Sequence, residues 1–294
     1  MTDLHTAAVP ELVEQVLAGQ VAVADCPAEA DWRDLWNREG LGIGDPRCVA
    51  IRGGARADRL AWVFVAGYQA ALQQTFRDLP QGQWAAFVAS EDRQNPADFP
   101  GTTATPTADG IRLNGCKSWV AQSRHLDRMI VTAASTDASA VDGETVCLLV
   151  PANATGVQLS HRDAPGFLPE LSQGFARFTD VTVAPGQVFP GALLRAFGRA
   201  EQSMVLLAGA AFLLQQTAGR NSGLETRLTA LVLALSQVAA DPKGGKRSLA
   251  HLDREMQAVL QTVADIADSP AWVRDIRLLQ MYSPAIQRRA TRTE

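Results

Sequence analysis

The sequence predicts an α+β fold in three consecutive parts: a helical N-terminal domain over residues 1–82, a middle antiparallel β-domain over 83–191 and a C-terminal helical bundle over 192–294. Two observations predict it. Apolar residues recur every three or four positions towards both ends of the chain, but in the middle they gather into short runs between turn residues. A composition of 47% apolar and 20% charged residues over 294 positions is also enough to fill a sizeable core, in one large domain or in two to three packed units.

The first helical stretch begins at Glu11-Leu12-Val13-Glu14-Gln15-Val16-Leu17, and a second at Asp31-Trp32-Arg33-Asp34-Leu35-Trp36. Gly40, Gly42, Gly44 and Pro46 are the expected stop. After Gly53-Gly54 a longer helix is expected from about Asp58 to Phe76, with Leu60, Val63, Val65, Ala66, Tyr68 and Leu72 on its apolar face. From Gln83 the grammar changes to short β-rich runs: Trp84 to Val88, Ile111 to Leu113, Met129 to Thr132, Val146 to Val150 and Ala176 to Phe178. Asp109-Gly110 and Asn114-Gly115 separate them as turn signals, since these residues tolerate positive φ. The β-domain ends near Pro190-Gly191, and helical patterning resumes at Ala192. Met204 to Gln216 is almost wholly apolar, as for a helix surrounded by others. Leu224 to Ala239 and Leu252 to Ile266 add amphipathic helices, joined by the loop Asp241-Pro242-Lys243-Gly244-Gly245-Lys246.

A formal net charge of -4 gives no sequence-wide basic field, which disfavours nucleic acid and anionic membrane as partners. Met1 to Pro10 carries no long apolar run and no stretch approaches a membrane span, so a cytoplasmic protein is expected. Cys26, Cys48, Cys116 and Cys147 form no CxxC pair and no cluster with His5, His125, His161 or His251. Buried, reduced thiols are expected, with no metal site and no disulfide framework. Gly40-Leu41-Gly42-Ile43-Gly44 resembles a nucleotide loop but follows a helix, so it reads as a helix stop. His161 and Asp163 have no nucleophile near them in sequence and read as ordinary loop residues.

Three ordered segments carry a family resemblance. Phe87-Val88-Ala89-Ser90-Glu91-Asp92, Thr102-Thr103-Ala104-Thr105 and Asp109-Gly110-Ile111-Arg112-Leu113-Asn114-Gly115-Cys116-Lys117-Ser118-Trp119-Val120-Ala121 together form the first; Phe178-Thr179-Asp180-Val181-Thr182-Val183-Ala184-Pro185 with Gly191 is the second. The third is Arg274-Asp275-Ile276-Arg277-Leu278-Leu279-Gln280-Met281-Tyr282 with Ile286-Gln287-Arg288. Spread over about two hundred residues, they resemble the acyl-CoA dehydrogenase family, as a shortened and divergent member.

The resemblance implies FAD as cofactor, an acyl thioester of coenzyme A or a carrier protein as substrate, and a homo- or hetero-oligomer. The family removes an α-proton with a glutamate while a hydride passes to the flavin, so a positioned base and a polarised carbonyl are both required. One family base position, after the tyrosine of the third segment, holds Ser283, and a serine needs its own activating base to take that proton. The other lies on the first helix of the bundle and holds Gln202, which is no base. Glu201 is adjacent, but one residue turns a side chain by about 100° on a helix, and it otherwise reads as a solvated charge near a helix start. Ser203 stands in place of the arginine that helps to hold coenzyme A. Among flavin contacts, Ala89 and Ser90 keep main-chain groups and a hydroxyl for the ring and Trp119 keeps its aromatic wall, whereas Ala121 replaces a hydroxyl donor. For the diphosphate, Arg220 survives without the motif around it, and between the Leu252 to Ile266 helix and Arg274 only Ala267 to Val273 remain of the glycine-rich loop.

Three readings follow. The first is an acyl-CoA dehydrogenase-like protein whose ordinary α,β-dehydrogenation is lost, repurposed for an acyl thioester in a biosynthetic pathway or serving as a non-catalytic subunit. The second is an active flavin-dependent oxidoreductase, either a dehydrogenase with a relocated base such as Glu201 or a flavin monooxygenase of the same fold. The third is a binding module for a carrier protein or partner subunit, with Met204 to Leu214 as its interface; a buried core helix is the competing reading of that run.

Overall fold

The computed structural model describes residues 8–137, 144–241, 245–263 and 270–291. Its contacts divide the chain into two compact units, one of residues up to Gly82 together with those from Phe197 onward, the other of Gln83–Ala196. The helices from the two ends of the sequence therefore share one unit.

In the helical unit, α1 (Val9–Leu17) and α2 (Glu29–Arg38) follow the apolar spacing of the sequence, and Trp32 and Trp36 of α2 are fully buried. The next element was not expected. Residues Pro46–Arg56 form helix α3, where the sequence shows a stop followed by a glycine pair. Asp45 caps it by accepting the Arg47 N–H at 2.8 Å, and Pro46 sits in the first turn, where its missing N–H costs nothing. Asp45-Pro46 is thus a helix start rather than the end of a break. Gly53 and Gly54 lie inside α3 because other chain segments pass close by. A Cβ on Gly53 would meet the Ala66 Cβ at 2.4 Å, and one on Gly54 the Ala208 oxygen at 2.2 Å.

Helix α4 (Leu60–Thr75) buries every residue from Leu60 to Leu72, so it has no polar face in that stretch and is a central helix rather than an amphipathic one. α5 (Ala192–Thr217) is a single long helix, and Met204 to Leu214 are all buried, which makes that run core rather than interface. α6 (Ser222–Ala240) and α7 (Lys246–Val263) follow, then α8 (Pro270–Asp275), α9 (Arg277–Gln280) and α10 (Ser283–Thr291). The expected loop positions 242–244, the last residues of the Leu252 to Ile266 stretch and Ala267 to Ser269 lie outside the described residues, as do Met1 to Ala7.

The second unit is built on an eight-stranded sheet: β1 (Ala85–Val88), β2 (Thr103–Thr107), β3 (Gly110–Ala121), β4 (Arg128–Ser135), β5 (Thr145–Pro151), β6 (Val157–His161), β7 (Gln173–Val183) and β8 (Val188–Pro190). The order is β6-β7-β3-β2-β4-β5-β8, with β1 paired to β4. The sheet is mixed, because β1 and β2 both run parallel to β4 while the other pairings are antiparallel. Alternate residues including Val88, Leu113, Val120, Met129, Val131, Leu148, Phe178 and Val181 make its core.

Asn114-Gly115 is not a turn. Both residues lie inside β3, at a register shift between Leu113 and Gly115, with Gly115 at φ 118°. A β-bulge accounts for the same residue preference as a tight turn. A Cβ there would meet the Gly101 oxygen at 2.4 Å, so close backbone approach excludes a side chain as well. All four cysteines are free and buried, and burial pushes the Cys147 thiol up to about 11.

Candidate functional site

In the β-unit, two consecutive residues of β3 support the segment that follows β1. Lys117 is 1% exposed, and its ammonium donates to Glu91 Oε1 at 2.7 Å, to Thr132 Oγ1 at 3.1 Å and to the Ala89 oxygen at 3.4 Å. Glu91 also accepts from the Thr102 N–H at 3.1 Å and the Thr102 hydroxyl at 2.5 Å. Burial alone would raise the Glu91 carboxyl, but these donors outweigh it and hold it at about 2. Burial lowers the Lys117 ammonium from the usual lysine range, with Glu91 pulling the other way. Ser118 then donates its N–H to the Ser90 oxygen at 2.8 Å. The Ala89-Ser90 segment is therefore held by a buried cation on one residue and by backbone pairing on the next.

Trp119, half-buried, donates its indole N–H to Gln173 Oε1 at 3.2 Å, and Gln173 donates in turn to the Phe167 oxygen at 2.7 Å. Ser90 is exposed and Ala89 partly so, leaving a hydroxyl and a main chain accessible near the strand end. Ala121 is fully buried opposite Gln173 in the ladder and offers no polar side chain. The Lys117 network was missed in sequence; a lysine amid buried strand residues was its signal. Ser123, also missed, lies 2.9 Å from His161 Nδ1, because β3, β7 and β6 pair side by side. His161 thus has a hydroxyl beside it, contrary to the sequence reading. Burial and Arg124 lower its ring below the usual histidine range. Asp163 is exposed, and among the described residues no acid hydrogen-bonds the ring, so the pair lacks the third group a triad needs.

In the helical unit the expected base positions are occupied by neutral groups already fitted into the packing. Ser283 opens α10, with Pro284 in its first turn, and its hydroxyl donates to Asp253 Oδ2 at 2.6 Å. Asp253 is fully buried on α7 and also accepts from Gln287 at 2.6 Å and Gln257 at 3.2 Å. Gln202 is 6% exposed, and its Oε1 has no hydrogen-bond partner. Ser203 turns its hydroxyl back on its own helix, to the Arg199 and Ala200 oxygens at 3.3 and 3.1 Å.

Glu201 is not a solvated charge at a helix start. It lies nine residues into α5, which begins at Ala192, and its carboxyl is enclosed and accepts the Tyr282 hydroxyl at 3.1 Å. Burial pushes that carboxyl up to about 7 against the lowering effect of Tyr282, while burial and Glu201 push the Tyr282 phenol well up. Arg220 is exposed in the turn after α5. Among the described residues no group of histidine, cysteine and acidic side chains is placed to hold a metal, and no helix is long and apolar enough to cross a membrane.

No protein-family model and no curated protein matches the sequence. Solved structures do match. The FAD complex of PigA is 14% identical with a TM-score of 0.67, and 96% of each chain is covered. FMN-bound TdsC from Paenibacillus sp. A11-2 is 16% identical with a TM-score of 0.62, over 98% of this chain and 90% of that one. A Mycobacterium smegmatis protein assigned to the acyl-CoA dehydrogenases is 15% identical with a TM-score of 0.63, over 97% of both chains. With its helices in one unit, its mixed sheet in the other and these likenesses along nearly its whole length, the chain has the acyl-CoA dehydrogenase-like fold.

Proposed function

We propose that this chain is an acyl-CoA dehydrogenase-like protein that has lost ordinary α,β-dehydrogenation of acyl thioesters, and that it is either repurposed for an acyl thioester in a biosynthetic pathway or serves as a non-catalytic subunit. The carrying observation is the Ser283 hydroxyl donating at 2.6 Å to buried Asp253. A hydroxyl is a far weaker base than the glutamate it stands for, and Asp253, the acceptor of its proton, already takes hydrogen bonds from Gln257 and Gln287; the amide of Gln202 is no base either.

The residues of the β-unit fit the ring of a flavin better than they fit a dinucleotide. Exposed Ser90 would offer its hydroxyl, Ala89 its main chain and Trp119 a wall beside the ring, all on a segment fixed by Lys117 and Ser118. Ala121 supplies no donor to the ring edge, and Arg220 is a single cation where a diphosphate is best held by several oriented donors. When bound, FAD or FMN would supply the hydride acceptor. The flavin complexes of PigA and TdsC support flavin binding here, and acyl-thioester substrates and an oligomeric assembly rest on the family resemblance.

One observation favours a second reading, an active flavin-dependent oxidoreductase. Glu201, with its carboxyl near 7 and steadied by Tyr282, has the proton affinity suited to a general base at neutral pH. A flavin monooxygenase of the same fold would require no such base.

Absorbance of the purified protein in the flavin bands, alone and with added FAD or FMN, tests the cofactor. Anaerobic titration with a panel of acyl thioesters then separates the readings. The first expects no bleaching of bound flavin. Bleaching that disappears in Glu201→Gln would replace it with the second, and oxygen consumption dependent on NAD(P)H without bleaching would point to the monooxygenase form.

A further inference from the structure

A pocket inside the helical unit gathers two guanidinium groups that no acid pairs among the described residues, although Asp241 also lines it. Its lining comes from α5 (Arg199, Gln202, Ser203), from the C-cap of α6 (Asp241), from the first residue of α7 (Lys246) and from α10 (Arg289). Among the described residues neither Arg199 nor Arg289 makes an ion pair, whereas Asp241 and Lys246 each have an interaction of their own. Like charges held together without a counter-ion are unfavourable, and a half-buried setting weakens solvent screening of that repulsion. Arg289 shows it: burial first, and then the charge of Arg199, lower its guanidinium from the usual arginine value.

Two buried polar atoms at the same place also have no partner. They are Arg199 Nε, a donor, and Gln202 Oε1, an acceptor on a residue 6% exposed. Buried groups of this kind are ordinarily satisfied. What satisfies both is a group with oxygens that accept from arginine and an O–H that donates to the glutamine. A phosphoryl group has that pattern as its singly protonated monoanion, the form that prevails below its second pKa of about 6. Sulfate has the oxygens without the O–H. The cavity, about 30 Å³ and partly open to solvent, has room for a group of this size entering end-on.

We propose that this pocket binds a phosphoryl group through Arg199 and Arg289, with Gln202 Oε1 accepting its O–H. The inference goes beyond the reading of the protein as a dehydrogenase-like flavoprotein and stands whether or not flavin binds. Two sources share the chemistry, free inorganic phosphate and a phosphate ester such as that of coenzyme A. Ser203, where the family resemblance implies a coenzyme-gripping arginine, lines this same pocket.

Isothermal titration calorimetry of the full chain at about pH 5.5, where the monoanion prevails, with inorganic phosphate, sulfate and coenzyme A in separate runs tests it, alongside thermal melts in the same ligands. Saturable binding of phosphate or coenzyme A is expected, with sulfate weaker. Arg199→Gln and Arg289→Gln, on different helices, should each weaken binding by about ten-fold or more, the range for one lost charge-assisted bond. Because each substitution removes a repulsion, neither should lower the melting temperature of the unliganded chain, which separates ligand loss from misfolding. Binding of coenzyme A without inorganic phosphate assigns the site to an ester; comparable binding of both assigns it to the phosphoryl group itself. No saturable heat with either ligand at millimolar concentration, or full affinity retained in both variants, would overturn the proposal. So would sulfate binding as tightly as phosphate, since nothing would then rest on the Gln202 contact.

Discussion

Lys117 shows how one side chain can carry a surface feature from beneath. It is sealed in the β-unit, yet the segment it holds, Ala89-Ser90, lies at the surface and is the part proposed to meet a flavin ring. Replacing it with methionine keeps the bulk and removes the cation, leaving Glu91, whose side chain is 24% exposed, without its main partner. The expected cost is about 3 kcal/mol, the lower end for a broken buried pair because Glu91 keeps some contact with water. Urea denaturation of Lys117→Met measures it. The ammonium's role was not legible in sequence, since its partners Glu91 and Thr132 are 26 and 15 residues away and only the strand pairing brings them in. The same holds for Ser123 and His161, 38 residues apart. What was legible was that Lys117, Ser118 and Trp119 belonged together.

Among the elements, the helices pack closely enough that glycine is required inside them. A Cβ on Gly67 of α4 would meet Val205 Cα at 2.5 Å and the Met204 oxygen at 2.8 Å, both backbone atoms of α5 that cannot swing aside. Gly67→Ala gains up to about 1 kcal/mol of helix propensity, but overpacking should cost about 1–3 kcal/mol. A net loss is expected, visible as a lower urea midpoint. A midpoint raised by the substitution would show that the helices separate at little cost. This close packing also explains which elements the sequence revealed. α1, α2 and α6 keep the periodicity of an element with one exposed side, whereas β1, β4 and β5 show as continuous apolar runs buried along most of their length. α3 does not, because its Gly53-Gly54 pair serves packing while imitating a break. β2 was hidden because only Ala104 of Thr103 to Thr107 is buried, and β6 and β8 by being short. The Asn114-Gly115 bulge has the residue signature of a turn, and residue preference alone does not separate the two.

For the whole molecule, two carboxyls set opposing responses to pH, one in each unit. Glu91 is held near 2, below the ordinary 4.5, so its contribution is fully present above pH 4.5 and is lost as pH falls towards 2. Glu201 is raised to about 7, so between pH 4.5 and 7 the folded chain keeps a proton that the unfolded chain releases. Stability from that group therefore declines as pH rises through the window. Urea midpoints followed by circular dichroism should be highest near pH 4.5 to 5 if these groups dominate. Glu91→Gln should flatten only the acid limb, and Glu201→Gln only the decline towards neutrality. A fold of this kind was readable along the chain from three separated segments, but the chemistry was not, because it depends on what each side chain is already bonded to. Ser283 makes the point in evolutionary terms. Placing a glutamate at 283 would remove a donor from Asp253 and set a second acid against a sealed one, which already takes hydrogen bonds from Gln257 and Gln287. A base there takes coordinated changes at 253 and 283, so the two positions are coupled by epistasis and a substitution at 283 alone does not supply one.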